Sequence, residues 1–401
     1  MTLPTLDDLE VTGKRVLVRC DLNVPLKDGR ITDDLRIRAA IPTLNRLLDR
    51  GARLAVCSHL GRPKGHVVDE LRLAPVATRL GELLGREVRA AADVVGPSAA
   101  AACASDADVV LLENLRFDAG EEANDPSFAE ALAGLADAYV DDAFGAAHRA
   151  HASIVGVAER LPSAAGLLLA DEVRKLQKLL DTPDRPFIAV LGGAKVSDKL
   201  DVIGNLLERV DAICIGGAMA FTLLVARGQQ VGRSLVERDR VDDVHDIIAR
   251  ADERGIDLLL PEDVVAAEAP EEGAAHDTVG LDGIGDRMGV DIGPETARSF
   301  AERIETAKTV LWNGPMGIFE IEAFATGTKT VAEAIARATK NGAYTVAGGG
   351  DSAAALKQLG LEDAVSHLST GGGASLEFLE GKDLPGVAVL KARAADGRQQ
   401  R

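Results

Sequence analysis

Residues 344–360 read YTVAGGGDSAAALKQLG: an apolar run, three glycines, an Asp-Ser pair, then an alanine-rich segment of helical character. Three glycines in a row lose more entropy on folding than almost any other tripeptide. They are kept where the backbone needs unusual dihedral angles or where something must approach it closely. The residues alone leave two readings open. One is a tight strand-to-helix turn with Asp351 or Ser352 as the N-cap; the other is a phosphate cradle, in which helix N–H groups and the positive end of the dipole face an anion.

The same passage, an apolar run ending in glycine or polar residues before a segment of helical period, recurs along the chain. RVLVRCD, RLAVCSH, DVVLLEN and AYVDDAF carry it in the first half; FIAVLGG, AICIGG, LLLPED, TVLWNG and VSHLSTGGG carry it in the second. Strands alternating with helices in this way predict βα units, hence parallel sheets covered on both faces, with ligands beyond the carboxyl ends of the strands. A chain of 401 residues exceeds one hydrophobic core, so two domains are expected. The boundary falls at AAGLLLADEVRKLQKLLDTPDRP, read as one helix over 166–180 that is stopped by Pro183 and Pro186. The acidic run AAEAPEEGAAHD reads as a solvated loop, to which the residues assign no function.

Forty-five basic against 63 acidic residues give a formal charge of −18, which argues against a general surface for nucleic acid or anionic lipid and leaves a small anion to a local basic pocket. Cys20, Cys57, Cys103 and Cys214 have no metal-finger or C-x-x-C spacing. Cys57 and Cys214 lie in apolar runs and read as buried free thiols. The amino-terminal stretch lacks the apolar core of a signal peptide and no run is long enough to span a bilayer, so a cytoplasmic protein is expected.

Chemistry-bearing residues cluster at the predicted strand ends. In the first half these are Arg19, Asp21 and Asn23, then Arg36, His59, Arg62, Arg116 and Arg149. One arginine usually solvates a surface; five at strand ends in an acidic protein point to a pocket for a small, multiply charged anion. In the second half, LGGAKVSDKL ends a strand in glycine, and Lys195 and Lys199 share one face if the helix begins there. Their mutual repulsion asks for a shared anion, or for Asp198 as a local partner. With the glycine turns IGGAMAF, AGGGDS and STGGGASLEFLEG they form a candidate polyphosphate site. No P-loop signature occurs, and GIGDRMG has the wrong spacing for a dinucleotide fingerprint.

Taken in order, RCDLNVP, SHLGRP, ENLRF, AHRAHAS, GGAKVSDK, WNGPMGIFE, AGGGDS and STGGGASLEFLEGK resemble the phosphoglycerate kinase family across nearly the whole chain. The resemblance implies an α/β protein of two Rossmann-like three-layer domains whose parallel sheets face across a cleft. It assigns 1–165 to phosphoglycerate, 166–180 to an interdomain helix and 181–375 to magnesium nucleotide, with a tail of about 376–401 packing back on the first domain. It places Asp21, Asn23, Arg36, His59, Arg62, Arg116 and Arg149 around 3-phosphoglycerate or 1,3-bisphosphoglycerate. Around ADP or ATP it places Gly192, Lys195, Lys199, Gly216, Gly217, Val290, Asn313, Pro315, Glu320, Gly348, Gly349, Gly350, Asp351 and Ser352. Arg36, Lys195, Lys199, Gly350 and Gly372 serve the transferring group, and Glu320 takes the ribose hydroxyls. A monomer is expected. Cys20 and Leu22 stand where the family commonly has Val and Phe, and Ala218 replaces a frequent third glycine of the adenine slot.

Asp351 would repel a phosphate directly, and its carboxylate makes sense with Mg²⁺ between them. No catalytic triad or carboxylate pair is evident, and none is needed where donor and acceptor oxygens are both ionised at neutral pH. A non-catalytic two-domain binder shares the sheets and cleft; it would make no ATP.

Overall fold

The structure, a computed structural model, describes residues 3–399, and in the last helix it describes side chains up to residue 393. The chain divides into two compact units. One runs to Arg174 and resumes at Asp383, and the other is Lys175–Lys382.

The first unit is built on a six-stranded sheet in the order Val88–Ala90, Val109–Leu111, Arg53–Cys57, Arg15–Arg19, Ala138–Asp141, Ser163–Ala165, every neighbouring pair parallel. All five residues of Arg15–Arg19 are buried, which is the burial expected of a strand covered on both faces. Val16, Val18, Leu54 and Val56 meet Ile37, Leu44 and Leu47 of the helix Leu35–Asp49 and Leu80 of Ala74–Leu84 in one core.

The second unit repeats the plan in the order Asp257–Leu259, Ala212–Ile215, Phe187–Leu191, Thr309–Asn313, Tyr344–Gly348, His367–Leu368, again parallel throughout. Ile188, Val190, Val310 and Trp312 pack against Phe300 and Ile304 of Pro294–Glu305 and Val331 and Ile335 of Thr326–Lys340. The expected α/β class with two parallel sheets is thus the observed one.

An antiparallel three-stranded sheet was not anticipated. Asp263–Ala267 lies between His276–Gly280 and Met288–Ile292. The acidic run read as a loop supplies the ends of two of these strands, because polar residues facing out do not prevent backbone pairing. All four cysteines are free and buried, and burial pushes the Cys214 thiol up to about 12. Among the described residues no helix is long and apolar enough to cross a membrane.

A helix does occupy the boundary region, Leu167–Asp181, and the division between the units falls inside it. Residues 376–382 stay with the second unit, where Asn205 Nδ2 donates to Leu379 O at 2.6 Å. The return to the first unit therefore starts later than the expected 376. The helix Pro385–Gln399 then packs on Ala152–Gly156, Val157–Arg160 and Ser163–Ala165. Residues 400 and 401 of the expected tail, and 1 and 2 of the expected first domain, lie outside the described residues.

The amino end of Leu167–Asp181 is held in the first unit by side chains distant in sequence. Asp142 Oδ1 accepts from Leu168 N at 2.9 Å, and Thr43 Oγ1 accepts from Leu167 N at 2.9 Å. A Cβ at Gly166 would lie 2.1 Å from Asp142 Oδ1, so the bare backbone is what lets the carboxylate reach the helix. Asp142 is fully buried with Oδ2 unpartnered, and burial raises its carboxyl to about 7, against hydrogen bonds from Thr43, Leu169 and Leu168 that lower it.

The folded state binds this proton more tightly than the unfolded chain does. The associated stability is therefore fully present below about pH 4 and is lost as pH rises through about 7. Asp142→Asn keeps an acceptor for the helix and cannot ionise. Relative to the parent chain it should gain on the order of 2 kcal/mol between about pH 5 and pH 8, read from urea midpoints at the two pH values.

Candidate active site

In the first unit the polar strand ends converge on the loops that leave the sheet. Arg36 Nη1 lies 2.5 Å from Asp21 Oδ2, so the helix Leu35–Asp49 presents its first-turn arginine to the segment after Arg15–Arg19. Gly61 ties two further segments together: its N–H donates to Asn23 Oδ1 at 2.9 Å, and its carbonyl accepts from Arg116 Nη1 at 2.8 Å.

His59 is 7 % exposed, and its Nδ1 lies 3.1 Å from Arg19 Nη2. A guanidinium can only donate, so Nδ1 accepts and the ring proton sits on Nε2. Burial, followed by the charges of Arg19, Arg116 and Arg36, holds the imidazole well below its ordinary range. His59 is thus a neutral N–H donor at neutral pH. The same causes, burial first and then Arg19, Arg116 and Arg149, bring His151 down to about 4.

Arg19 does not belong among the arginines open to an anion. It is wholly buried, with Nε donating to Ser153 Oγ at 2.9 Å, and Ser153 Oγ donating in turn to Glu121 Oε1 at 2.6 Å. Burial opposes its charge, and Glu121 and neighbouring anions outweigh that cost. A sequence pattern gives no sign of this chain of contacts, because Glu121 and Ser153 are joined to Arg19 only through a π-type turn at Ala152–Gly156 and the helix Ala119–Ala123. Arg62 and Arg149 are exposed; Arg149 Nε lies 3.2 Å from His148 Nε2. Asp21, Asn23, Arg36, His59 and Arg116 are linked by direct bonds or by felt charge, Arg149 is felt by Arg116 and His151, and Arg62 follows Gly61 in the shared loop.

In the second unit two adjoining cavities lie at the strand carboxyl ends. One, of about 560 Å³, is lined by Gly192, Lys195, Lys199, Asn313, Gly349, Gly350, Asp351 and Ser352. The other, of about 450 Å³ and largely apolar, is lined by Gly217, Ala218, Val290, Pro315, Glu320 and again Asp351. A larger cavity of about 990 Å³ lies beside the edge strand Asp257–Leu259 and holds none of the expected residues. Lysines and bare glycine backbone coincide in the smaller pair and not in this larger cavity.

The helix after the three glycines begins at Gly350, and Gly349, with φ of 93°, is its N-cap. Neither Asp351 nor Ser352 caps it. Ser352 Oγ instead accepts from Gly314 N at 2.7 Å, which ties this turn to the exit of the neighbouring strand Thr309–Asn313. Among the described residues no partner is recorded for the N–H groups of Gly350, Asp351 and Ser352, the orphan donors of a helix start. A Cβ at Gly350 or at Gly372 would meet nothing within 4 Å, so the backbone there faces open space. By contrast, a Cβ at Gly192 would lie 2.0 Å from Pro315 O, and one at Gly216 would lie 2.5 Å from Met316 Sδ.

Lys195 and Lys199 are not on a helical face. The helix begins only at Leu200; Lys195 lies in the irregular segment before it and Lys199 is its N-cap residue. Lys199, 9 % exposed and lowered from its ordinary range by burial, donates to Asn313 Oδ1 rather than pairing with Asp198. Asn313 Nδ2 donates to Gly348 O at 2.8 Å, which fixes the amide's orientation toward the lysine. Gly348 thereby enters through its carbonyl. Trp312, wholly buried, donates its indole N–H to Gly314 O at 2.8 Å and anchors the strand exit from below.

A family model described as Phosphoglycerate kinase matches residues 6–382. Phosphoglycerate kinase of Moorella thermoacetica is 57 % identical over 389 residues, covering 96 % of this chain and 98 % of that protein. That of Dictyoglomus turgidum is 56 % identical over 393 residues, with 97 % and 98 % covered. Among solved structures, phosphoglycerate kinase from Coxiella burnetii has a TM-score of 0.89 at 41 % identity, covering 98 % of this chain and 100 % of its own. This chain belongs to the phosphoglycerate kinase family. Phosphoglycerate kinases are phosphotransferases with a carboxyl acceptor, and that is the enzyme class of the chain.

Within the phosphoglycerate kinase fold, the neutral His59 makes a direct prediction. Nitrogen-detected histidine spectra of the unliganded protein should show Nε2 protonated and Nδ1 bare, with no titration of that ring between about pH 6 and pH 8. A ring titrating near its unperturbed value of roughly 6.5 would contradict the Arg19 contact.

Proposed function

We propose that the protein catalyses reversible transfer of the acyl phosphate of 1,3-bisphosphoglycerate to ADP, giving 3-phosphoglycerate and ATP in glycolysis and gluconeogenesis. The observation that carries this reading is the pairing of two unlike anion sites: Arg36, Arg116 and a neutral His59 donor in one unit, and a lysine and glycine cradle beside an apolar slot in the other. Asp21, Asn23, Arg36, His59, Arg62, Arg116 and Arg149 hold phosphoglycerate. Lys195, Lys199 and the N–H groups from Gly350 and Gly372 receive the nucleotide phosphates, while Gly216, Gly217, Val290 and Pro315 flank the base and Glu320 takes the ribose. Because the reactants bind to different units, transfer requires closure about the helix 166–180.

The cradle fits a magnesium nucleotide. Asp351 lines both cavities, so its carboxylate stands where sugar and phosphates of one ligand would join. Among the described residues no group of three or more His, Cys, Asp or Glu is arranged to hold an ion, which suits a cation taking its other oxygens from phosphates and water. Bound there, Mg²⁺ would neutralise charge on the phosphate oxygens. Lys199 and the helix N–H groups supply the remaining positive potential without any proton transfer, and no general base is required. Cytoplasmic location and a monomeric state belong to the same reading.

The test is a coupled assay with ADP, Mg²⁺ and 1,3-bisphosphoglycerate; a protein that only binds its ligands makes no ATP. Arg36→Ala should lower kcat by about a thousandfold, the scale of an arginine serving transition-state charge, and should affect phosphoglycerate binding much less. Near-normal turnover would remove Arg36 from the mechanism. Asp351→Asn should leave the melting temperature nearly unchanged, since the residue is exposed and does not cap its helix. Mg-nucleotide affinity and turnover should both fall steeply; an unaltered Mg²⁺ dependence would refute the metal role.

A further inference from the structure

The loop carrying Lys195 and Lys199 has neither strand nor helix to hold it, since regular structure resumes only at Leu200. Its middle residue is clasped instead from a segment distant in sequence. Ser197 N donates to Glu237 Oε2 at 3.0 Å, and Ser197 Oγ donates to Glu237 Oε1 at 2.6 Å. Both carboxylate oxygens thus accept from Ser197, an arrangement that fixes orientation as well as distance.

Glu237 is itself anchored. Its backbone N–H donates to Oγ1 of Thr222 at 3.1 Å, and Thr222 is 1 % exposed in the helix Met219–Ala226. Farther back, Ser234 Oγ accepts from Gly289 N at 2.9 Å, on the strand that carries Val290. The segment 234–237 therefore runs from the wall of the apolar slot to the lysine loop, tied at both ends. Burial opposes ionisation of Glu237, and the hydrogen bonds from Ser197 and Val196, with the charge of Lys195, still hold its carboxyl below the usual range. It is anionic at neutral pH. Glu237 is not among the residues lining either cavity.

An anion beside Lys195 weakens the loop's attraction for a nucleotide in the ground state, so charge alone gives no reason for Glu237 to be there. Geometry does. We infer that Glu237 is a positioning residue for phosphoryl transfer: by clasping Ser197 it fixes the loop that presents Lys195 and Lys199, and it touches no substrate itself. This inference rests on the reading of those lysines as phosphate ligands.

The two roles separate in the kinetics. Glu237→Gln keeps the shape, loses the charge and offers one acceptor where two are used. In the full-length chain kcat should fall by about tenfold or more, because small misplacements at a transfer site are costly. The KM for Mg-ADP should change by less than about threefold, since the lost anion and the loosened loop act in opposite directions on ground-state binding. The KM for the phosphoglycerate substrate and the melting temperature should be unaffected. Ser197→Ala should give a smaller loss. The double variant should lose less than the product of the two single losses, because both act on one clasp. Retained kcat in Glu237→Gln, or losses that simply multiply, would overturn the proposal. Lys199→Ala serves as the separate control: if it leaves kcat intact, the phosphate reading of the loop is wrong, whereas loss there with an unaffected Glu237→Gln rejects only the clasp.

Discussion

In both six-stranded sheets every strand runs the same way, and most of what the protein can do follows from that. A parallel pair cannot be closed by a hairpin, so the chain must travel back through a crossover, and all the strand carboxyl ends emerge along one edge. Residues that are far apart in sequence are delivered there together. Arg15–Arg19 hands on Asp21 and Asn23 beside the loop that Arg53–Cys57 hands on with His59. Thr309–Asn313 and Tyr344–Gly348 likewise bring Asn313 against Gly348. Burial on both faces keeps these strands apolar, and the polar groups are confined to their ends.

An acidic chain that must attract anions has a charge problem, and the two units handle it differently. The first concentrates side-chain cations and hides one of them. Arg19, fully buried, cannot meet a ligand, yet it sets which nitrogen of His59 carries the proton and keeps that ring neutral. The second relies more on backbone: N–H groups at the start of Gly350–Leu359, with a buried Lys199 held by an amide. In both, a donor at the strand ends is oriented by a buried neighbour. Arg19 behind His59 and Asn313 behind Lys199 are of this kind, and the clasp on Ser197 extends the pattern to a whole loop.

Buried carboxylates follow a related logic. Asp142 meets the N–H groups that open the helix between the units, and Asp291, raised by burial to about 8, accepts from Gly327 N at 2.7 Å at the start of Thr326–Lys340. Each satisfies orphan donors that would otherwise be costly to bury. Neither could be assigned from sequence: Asp142, one position after Ala138–Asp141, reads equally as a turn residue, and Asp291, inside Met288–Ile292, reads as an ordinary polar strand position.

The sequence by itself determined the class of fold, because fully apolar runs alternating with helical periods have few solutions other than parallel sheets. It also determined the family, through eight short motifs in order, and with them the residues to be sought at the strand ends. What it misjudged were matters of a few ångströms. Asp351 and Ser352 were candidate caps, and Gly349 is the cap because its positive φ turns the chain before either can reach back. Lys195 and Lys199 were spaced for a helical face, and both precede the helix instead, in a segment whose Ser197 is bound by Glu237. Arg19 counted among the ligand arginines, and packing buried it. Period and composition are local, so they are written in the chain. Which polar group a side chain finally meets depends on contacts between residues tens to more than a hundred positions apart, and only the folded tertiary structure brings those together.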